Sequence, residues 1–429
     1  MTHARLLACH ECDLLQIDAD LPDGGVLRCR RCHGELYRNR ANSLGNALAL
    51  SLGAAVLLAI ANSYPIVGLS VNGTLVETTL IGAVDVLYID GMWPIALLVF
   101  LTTVAIPAVQ VASMLWMLIP LRFNRVPWGA ATVFRLARLA QPWGMTEVLI
   151  IGLLVALVKL AHIASVVVDV GLWSFGILML VLAAASAAFD SRDLWARITA
   201  LQNPGGQTGG SLSLPRGWLS AARCGLMQCH DCGLLVKAPA HAQGLCCSRC
   251  GASVHFRKPD SLARTWAFLL AAMVLYIPAN VLPVMYTSSL FGAEKDTIMS
   301  GVVYLWTSGS WLLALVVFVA SVAVPMLKII AIAFLSISTQ VHSRWNPEQR
   351  TRIYRVVELV GRWSMLDIYV ITMLVALVQF KALATIQAGL AAVAFGAVVV
   401  LTMFAAMSFD SRLIWDADGP DHAGQPKHA

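Results

Sequence analysis

The sequence predicts an all-α polytopic membrane protein made of two tandem four-helix modules, each preceded by a small cysteine-rich β unit. Three observations predict it. Of 429 residues, 58% are hydrophobic and 13% charged, against roughly 45–50% and about 25% in an ordinary soluble domain. The chain repeats itself. Its ten cysteines fall in two short polar stretches, one at the head of each repeat. The mean hydropathy of +0.73 agrees. Together these exclude a disordered chain, a coiled coil and an average soluble enzyme.

The repeat is read first. Residues 32–65 align with 250–283 at an offset of 218, pairing Cys32 with Cys250, Asn62 with Asn280 and Pro65 with Pro283. The offset holds to Pro107 and Pro325, then becomes 220, pairing Trp143 with Trp363 and Glu147 with Asp367. Phe189-Asp190-Ser191-Arg192 matches Phe409-Asp410-Ser411-Arg412, and Trp195 matches Trp415. The units are therefore 1–43 and 224–260 for the cysteine-rich parts, 44–198 and 261–416 for the modules, 199–223 for a linker and 417–429 for a disordered tail. Residues 1–43 hold no apolar run of signal-peptide length.

A span needs about 20 apolar residues. Four stretches qualify per half: 44–64, 93–119, 145–166 and 170–189, then 262–283, 311–337, 364–380 and 385–407, eight in all. The 120–142 loop carries Arg122, Arg125, Arg135 and Arg138 with no acid, and 338–363 carries Arg344, Arg350, Arg352, Arg355 and Arg362. The positive-inside rule places these loops, both termini and the central cysteine-rich stretch in the cytoplasm. Segments 66–92 and 284–310 then lie outside as short caps.

Cys9 and Cys12 pair with Cys29 and Cys32, and Cys229 and Cys232 with Cys247 and Cys250, as two CxxC…CxxC sets. This spacing suits a four-thiolate site closed by a metal at about 2.3 Å, a zinc ribbon. Reduced cytoplasmic thiols argue against disulfides. Zinc at two sites is expected. Iron competes, because sulfur ligands alone do not select the metal. Cys246, beside Cys247, is a candidate replacement ligand, and His10 and His230 are expected to be exposed.

Ionisable groups inside apolar spans are costly and mark pathways. Lys328 lies within the sixth span and Asp367 in the seventh, with Ser321, Ser364 and Thr402 nearby. Ser321 and Lys328, seven apart, share a helix face, as do Ser364 and Asp367. Pro325 cannot donate to the Ser321 carbonyl. A Lys–Asp pair in low dielectric has coupled, movable protonation, which a proton relay requires. The competing reading is a structural ion pair. The first half has Thr103, Gln110, Gly144, Glu147 and Leu182 at these positions. It keeps the acid and loses the Lys, so a supporting role is expected. Glu147 and Lys159 are weaker relay candidates and fit snorkelling span ends. Trp195 and Trp415 with the FDSR motifs read as interfacial anchors. No Lys follows a Gly, so no P-loop is possible, and no hydrolase signature occurs. The chain is not expected to be an enzyme, and no nucleic-acid partner is expected.

The blocks Tyr276-Ile277-Pro278-Ala279-Asn280-Val281-Leu282-Pro283, Val324-Pro325-Met326-Leu327-Lys328 and Gly361-Arg362-Trp363-Ser364-Met365-Leu366-Asp367, with both FDSR motifs and both ribbons, resemble the paraquat-inducible protein A family (PqiA, with its LetA relatives) from Cys9 to about Trp415. The resemblance implies a multi-pass inner-membrane protein of Gram-negative bacteria. It implies an MCE-domain tunnel partner (PqiB-like), phospholipid movement between membranes and a contribution to envelope integrity. It also implies a proton-coupled network at Ser321, Lys328, Ser364, Asp367 and Thr402. Two other classes stay open: a membrane redox or metal-sensing protein using the CxxC pairs, and a passive anchor for the tunnel.

Overall fold

The computed structural model describes residues 6–416 apart from 19–20, 72–73, 145, 161–164, 204–219, 238–244, 290–291, 310, 344, 362–367, 371, 373–378 and 381–383. The sequence's expected tail at 417–429 lies outside the described residues, as do Ser364, Asp367 and most of the expected seventh span.

The first ribbon is two hairpins: β1 (Leu6–Ala8) with β2 (Leu15–Ile17), and β3 (Val26–Arg28) with β4 (Glu35–Arg38). Helix α1 (Ser43–Ser63) follows, 21 residues long. At 1.5 Å per residue it rises about 31 Å, the thickness of a hydrocarbon core. Only 22% of its apolar window is buried, so the remaining surface needs an apolar solvent. The Asn62 amide donates back to the Leu58 carbonyl at 2.8 Å near the end of the helix.

Beyond α1 the chain forms β5 (Val67–Val71), β6 (Thr74–Thr78) and α2 (Leu80–Ile89), the last capped by the Thr79 side chain. Then α3 (Trp93–Phe100) runs through a five-residue π turn, Leu101–Ala105, into α4 (Ile106–Arg122). Helix α5 (Ala130–Ala140) leads to α6 (Thr146–Leu160), β7 (Ser165–Val168), α7 (Val170–Ala188) and α8 (Ser191–Gln202).

The second half repeats this order. Its ribbon pairs β8 (Leu226–Gln228) with β9 (Leu235–Lys237), and β10 (Leu245–Cys246) with β11 (Ser253–Val254). There follow α9 (Ser261–Val281), β12 (Met285–Ser289), β13 (Gly292–Asp296) and α10 (Ile298–Thr307). Helix α11 (Trp311–Phe318) passes through a second π turn, Val319–Ala323, into α12 (Val324–Gln340). Then come α13 (Pro347–Gly361), β14 (Gln379–Phe380), β15 (Ala384–Ala388), α14 (Leu390–Ser408) and α15 (Leu413–Asp416).

Seven helical stretches among the described residues are long and apolar enough to cross a membrane. Three expectations change. The helices are joined by two small antiparallel sheets, ordered β6-β5-β7 and β13-β12-β15-β14, so the fold is not wholly α. The ends of the expected third and eighth spans supply β7 and β15, because their β-branched runs pair with β5 and β12 (Val67 opposite Val168, Met285 opposite Ala388). The Arg-rich segments are not open loops. They hold the helices α5 and α13, which bury Phe134 in the first and Val357 together with the Arg350 side chain in the second.

Apolar residues of both modules share one core, with Val99, Leu149 and Phe175 from the first and Tyr369, Phe395 and Val399 from the second. The ribbons dock crosswise. The second ribbon's Cys229, Cys232, Cys247 and Cys250 pack with Met117, Phe134 and Trp195 of the first module. The first ribbon's Cys9, Cys12, Cys29 and Cys32 pack with Leu335, Phe409 and Trp415 of the second.

Candidate functional site

The ribbon knuckles are four copies of one local design. In each, the first Cys N–H bonds a carbonyl five residues on, as Cys9 to Leu14 at 3.0 Å and Cys229 to Leu234 at 2.8 Å. The residue after the second Cys adopts positive φ: Asp13, His33, Gly233 and Gly251. Amides of Arg31 and Arg249 donate to Cys29 Sγ and Cys247 Sγ, both at 3.4 Å. Each set of four sulfurs lies within 4.8 Å, with Cys9–Cys32 and Cys12–Cys29 at 3.5 Å and Cys229–Cys250 at 3.4 Å.

All eight thiols are buried and too far apart for disulfide bonds. The hydrogen bond from Cys232 holds Cys229 down to about 5, and the same contact raises Cys232. Such crowded sulfurs lose their protons together only if a cation compensates. The donor set fits a four-coordinate metal such as zinc. Cys246 is exposed and outside the cluster, so it is not the fourth ligand. His10 and His230 are exposed.

In the membrane, Pro107 and Pro325 each stand just after a π turn. A helix that loses a proline's N–H donor must rearrange its bonding upstream, and here it widens by one residue in both halves. Val324 N–H reaches back five residues to the Val319 carbonyl. Ser321 lies in that turn, 1% exposed, donating to the Val317 carbonyl at 2.6 Å. Lys328 is 3% exposed, and its Nζ has no hydrogen-bond partner among the described residues. A Cβ built on Gly361 would stand 3.2 Å from that Nζ. The amine therefore faces the end of α13, where the chain enters 362–367. Thr402 on α14 is 1% exposed and donates to the Val399 carbonyl at 2.9 Å.

The first half carries neutral groups at the positions of Ser321 and Lys328. Thr103 in its π turn is buried and donates to the Val99 carbonyl at 2.7 Å. Gln110, counterpart of Lys328, sets its Oε1 3.3 Å from where a Cβ of Gly144, counterpart of Ser364, would stand. Glu147 is exposed in the first turn of α6. Lys159 belongs to α6, and its side chain lies outside the described residues.

Sequence reasoning missed several groups. Trp195 and Trp415 are 4% and 7% exposed, not interfacial anchors, because the ribbons cover them. Arg31 stacks over the Trp415 ring at 4.4 Å. Arg355 of α13 grips Glu11, inside the first knuckle, through Nε at 2.8 and 3.1 Å and through Nη2, and also donates to the Cys32 carbonyl at 2.8 Å. Its repeat counterpart Arg135 reaches the Gly251 carbonyl of the other ribbon at 3.5 Å.

A family model described as paraquat-inducible protein A matches residues 44–199 and again 262–418, once per module. The chain belongs to the paraquat-inducible protein A family. It is 33% identical over 417 residues to an intermembrane transport protein, PqiA, of Escherichia coli (strain K12), covering 96% of each chain. It is 29% identical to the lipophilic envelope-spanning tunnel protein A of the same strain, covering 95% of this chain and 91% of the relative. It is 26% identical to a probable intermembrane transport protein of Haemophilus influenzae, over 96% of each. No solved structure matches. With seven apolar helices and these relatives, this family member is a multi-pass membrane protein.

Proposed function

We propose that the chain is the inner-membrane subunit of a trans-envelope lipid transport system that works with an MCE-domain tunnel protein, is driven by protons and supports envelope integrity. The ribbons, the Arg-rich helices and both termini face the cytoplasm, and each ribbon holds one zinc. The names of the relatives support intermembrane transport. The observation that carries the proton step is the Lys328 amine, buried in a span with no partner among the described residues. A charge there is tolerated only when paired.

Ser364 and Asp367 are the expected partners. The Gln110–Gly144 approach in the first module supports this, since the repeat puts Ser364 where Gly144 stands. Proton gain and loss by such a pair changes its charge, and with it the packing of Ser321, Thr402 and the π turn. Glu147 and Lys159 stay outside this relay. The first module then supports the second. The buried sulfurs disfavour thiol exchange, which needs an accessible thiolate.

The test is complementation of an envelope-integrity defect with Asp367→Asn, alongside membrane expression and metal content. Loss of function with normal insertion and two zinc per chain is expected. Full function would return Asp367 to a structural role and leave the chain a passive anchor.

A further inference from the structure

Tyr369 is 1% exposed and lies two residues after Asp367 in the chain. Its hydroxyl donates to Thr102 Oγ1 at 2.8 Å. Thr102 belongs to the first module's π turn and is 1% exposed. Its own hydroxyl passes on to the Leu98 carbonyl at 2.8 Å. Among the described residues this is the hydrogen bond that crosses between the modules inside the apolar spans. The repeat does not reproduce it. Tyr369 corresponds to Leu149, and Thr102 to Ala320. The link therefore runs one way, from the chain segment carrying Asp367 into the widened turn of the other module.

We propose that Tyr369 is a positioning residue that ties residues 368–370, which follow Asp367 in the chain, to the first module's π turn, so that the two modules respond to protonation as one unit. This rests on the reading of Lys328 and Asp367 as the working pair. The chemistry supports a specific tie rather than general packing. A buried phenol hydroxyl needs a partner, and the one it has lies in a turn whose backbone bonding is already loosened. A π turn has a neighbouring bonding register available to it, which lets it act as a moving part. Thr102 fixes that turn from inside, and Tyr369 fixes Thr102 from across the interface. The first module has no Lys at its own site, yet it supplies the acceptor that holds the second module's segment.

The test uses the full chain in proteoliposomes with Tyr369→Phe, Thr102→Val and the double variant. Tyr369→Phe keeps the ring and leaves Thr102 its bond to Leu98, so folding is expected to be unaffected. The readouts are the pH profile of lipid transport and the pH dependence of carbodiimide labelling at Asp367. Each single variant should shift both profiles by about half a unit to one unit, the size of one lost hydrogen bond. The double variant should shift them no further, since both remove the same bond. Unchanged profiles in both single variants, or additive shifts in the double, would overturn the tie. Normal transport by Asp367→Asn would instead overturn the working-pair reading, and the labelling shift in Tyr369→Phe would still judge the tie.

Discussion

Asp410 shows how far a single side chain can be read. It sits in the second FDSR motif, 3% exposed. Burial pushes its carboxyl up. The hydrogen bonds and charge of Arg412, with the backbone amides of Lys258 and Arg412, outweigh that and hold it near about 2. The carboxylate thus ties the second ribbon's exit at Lys258 to the end of α14. Because the folded value is depressed, this stabilisation is present above the ordinary carboxylate range and is lost as pH falls toward 2. The shift corresponds to about 2 kcal/mol. Asp410→Asn should cost roughly that at neutral pH, and the gap to wild type should narrow below about pH 4, measured by thermal unfolding in detergent. A gap that stays constant with pH would show that the ion pair is not its source. Local chemistry of this kind is half-legible in sequence. The CxxC knuckles could be read because their bonds close within five residues. Lys328 stood out as a charge in an apolar run. Tyr369 and Arg355 did not, because their partners lie 267 and 344 residues away.

At the scale of elements, hydropathy located helices well and strands poorly. A strand in an extramembrane cap is five residues or fewer here, and its apolar residues merge with the neighbouring span. The clearest missed signal was one glycine per half, at the start of its last long apolar helix, α7 or α14. A Cβ on Gly171 would stand 2.4 Å from the Pro65 carbonyl oxygen, and one on Gly389 would stand 2.2 Å from that of Pro283. Both neighbours are backbone, anchored where α1 and α9 hand the chain to the sheets. They cannot swing aside as a side chain would. Gly171→Ala and Gly389→Ala should therefore destabilise by about 1–3 kcal/mol or more. Gly176, inside α7 with nothing within 4 Å, is the control. Its change to Ala should be neutral or stabilising by up to about 1 kcal/mol, as in any helix interior. Equal losses at all three positions, in thermal melts of the purified variants, would refute the close-approach argument.

Across the whole molecule, the repeat could be read from sequence but its assembly could not. Two similar units in line suggest that each ribbon serves the module that follows it. The structure crosses them, and the covalent order gives no hint of this because a ribbon of about forty residues can reach either module. The crossing has a physical basis in the knuckles. Glu11 lies between Cys9 and Cys12 of the first knuckle, and Arg355 binds it while also capping the Cys32 carbonyl. Asp13 of the first ribbon meets Arg257 of the second at 3.1 Å, closing the two into one layer. The first knuckle, Arg355 and α13 thus form a continuous path that ends at Gly361, beside the Lys328 amine. Arg355→Ala leaves Glu11 mostly buried without its cation, a loss of about 1–3 kcal/mol. Hydrogen exchange should then rise in residues 6–38, with the second ribbon unchanged. Arg135→Ala should loosen the second ribbon alone, and more weakly, since its bond to Gly251 is long. If Arg355→Ala instead loosened residues 220–257 and spared the first ribbon, the ribbons would be docked in line and the path to Lys328 would be broken at its first step.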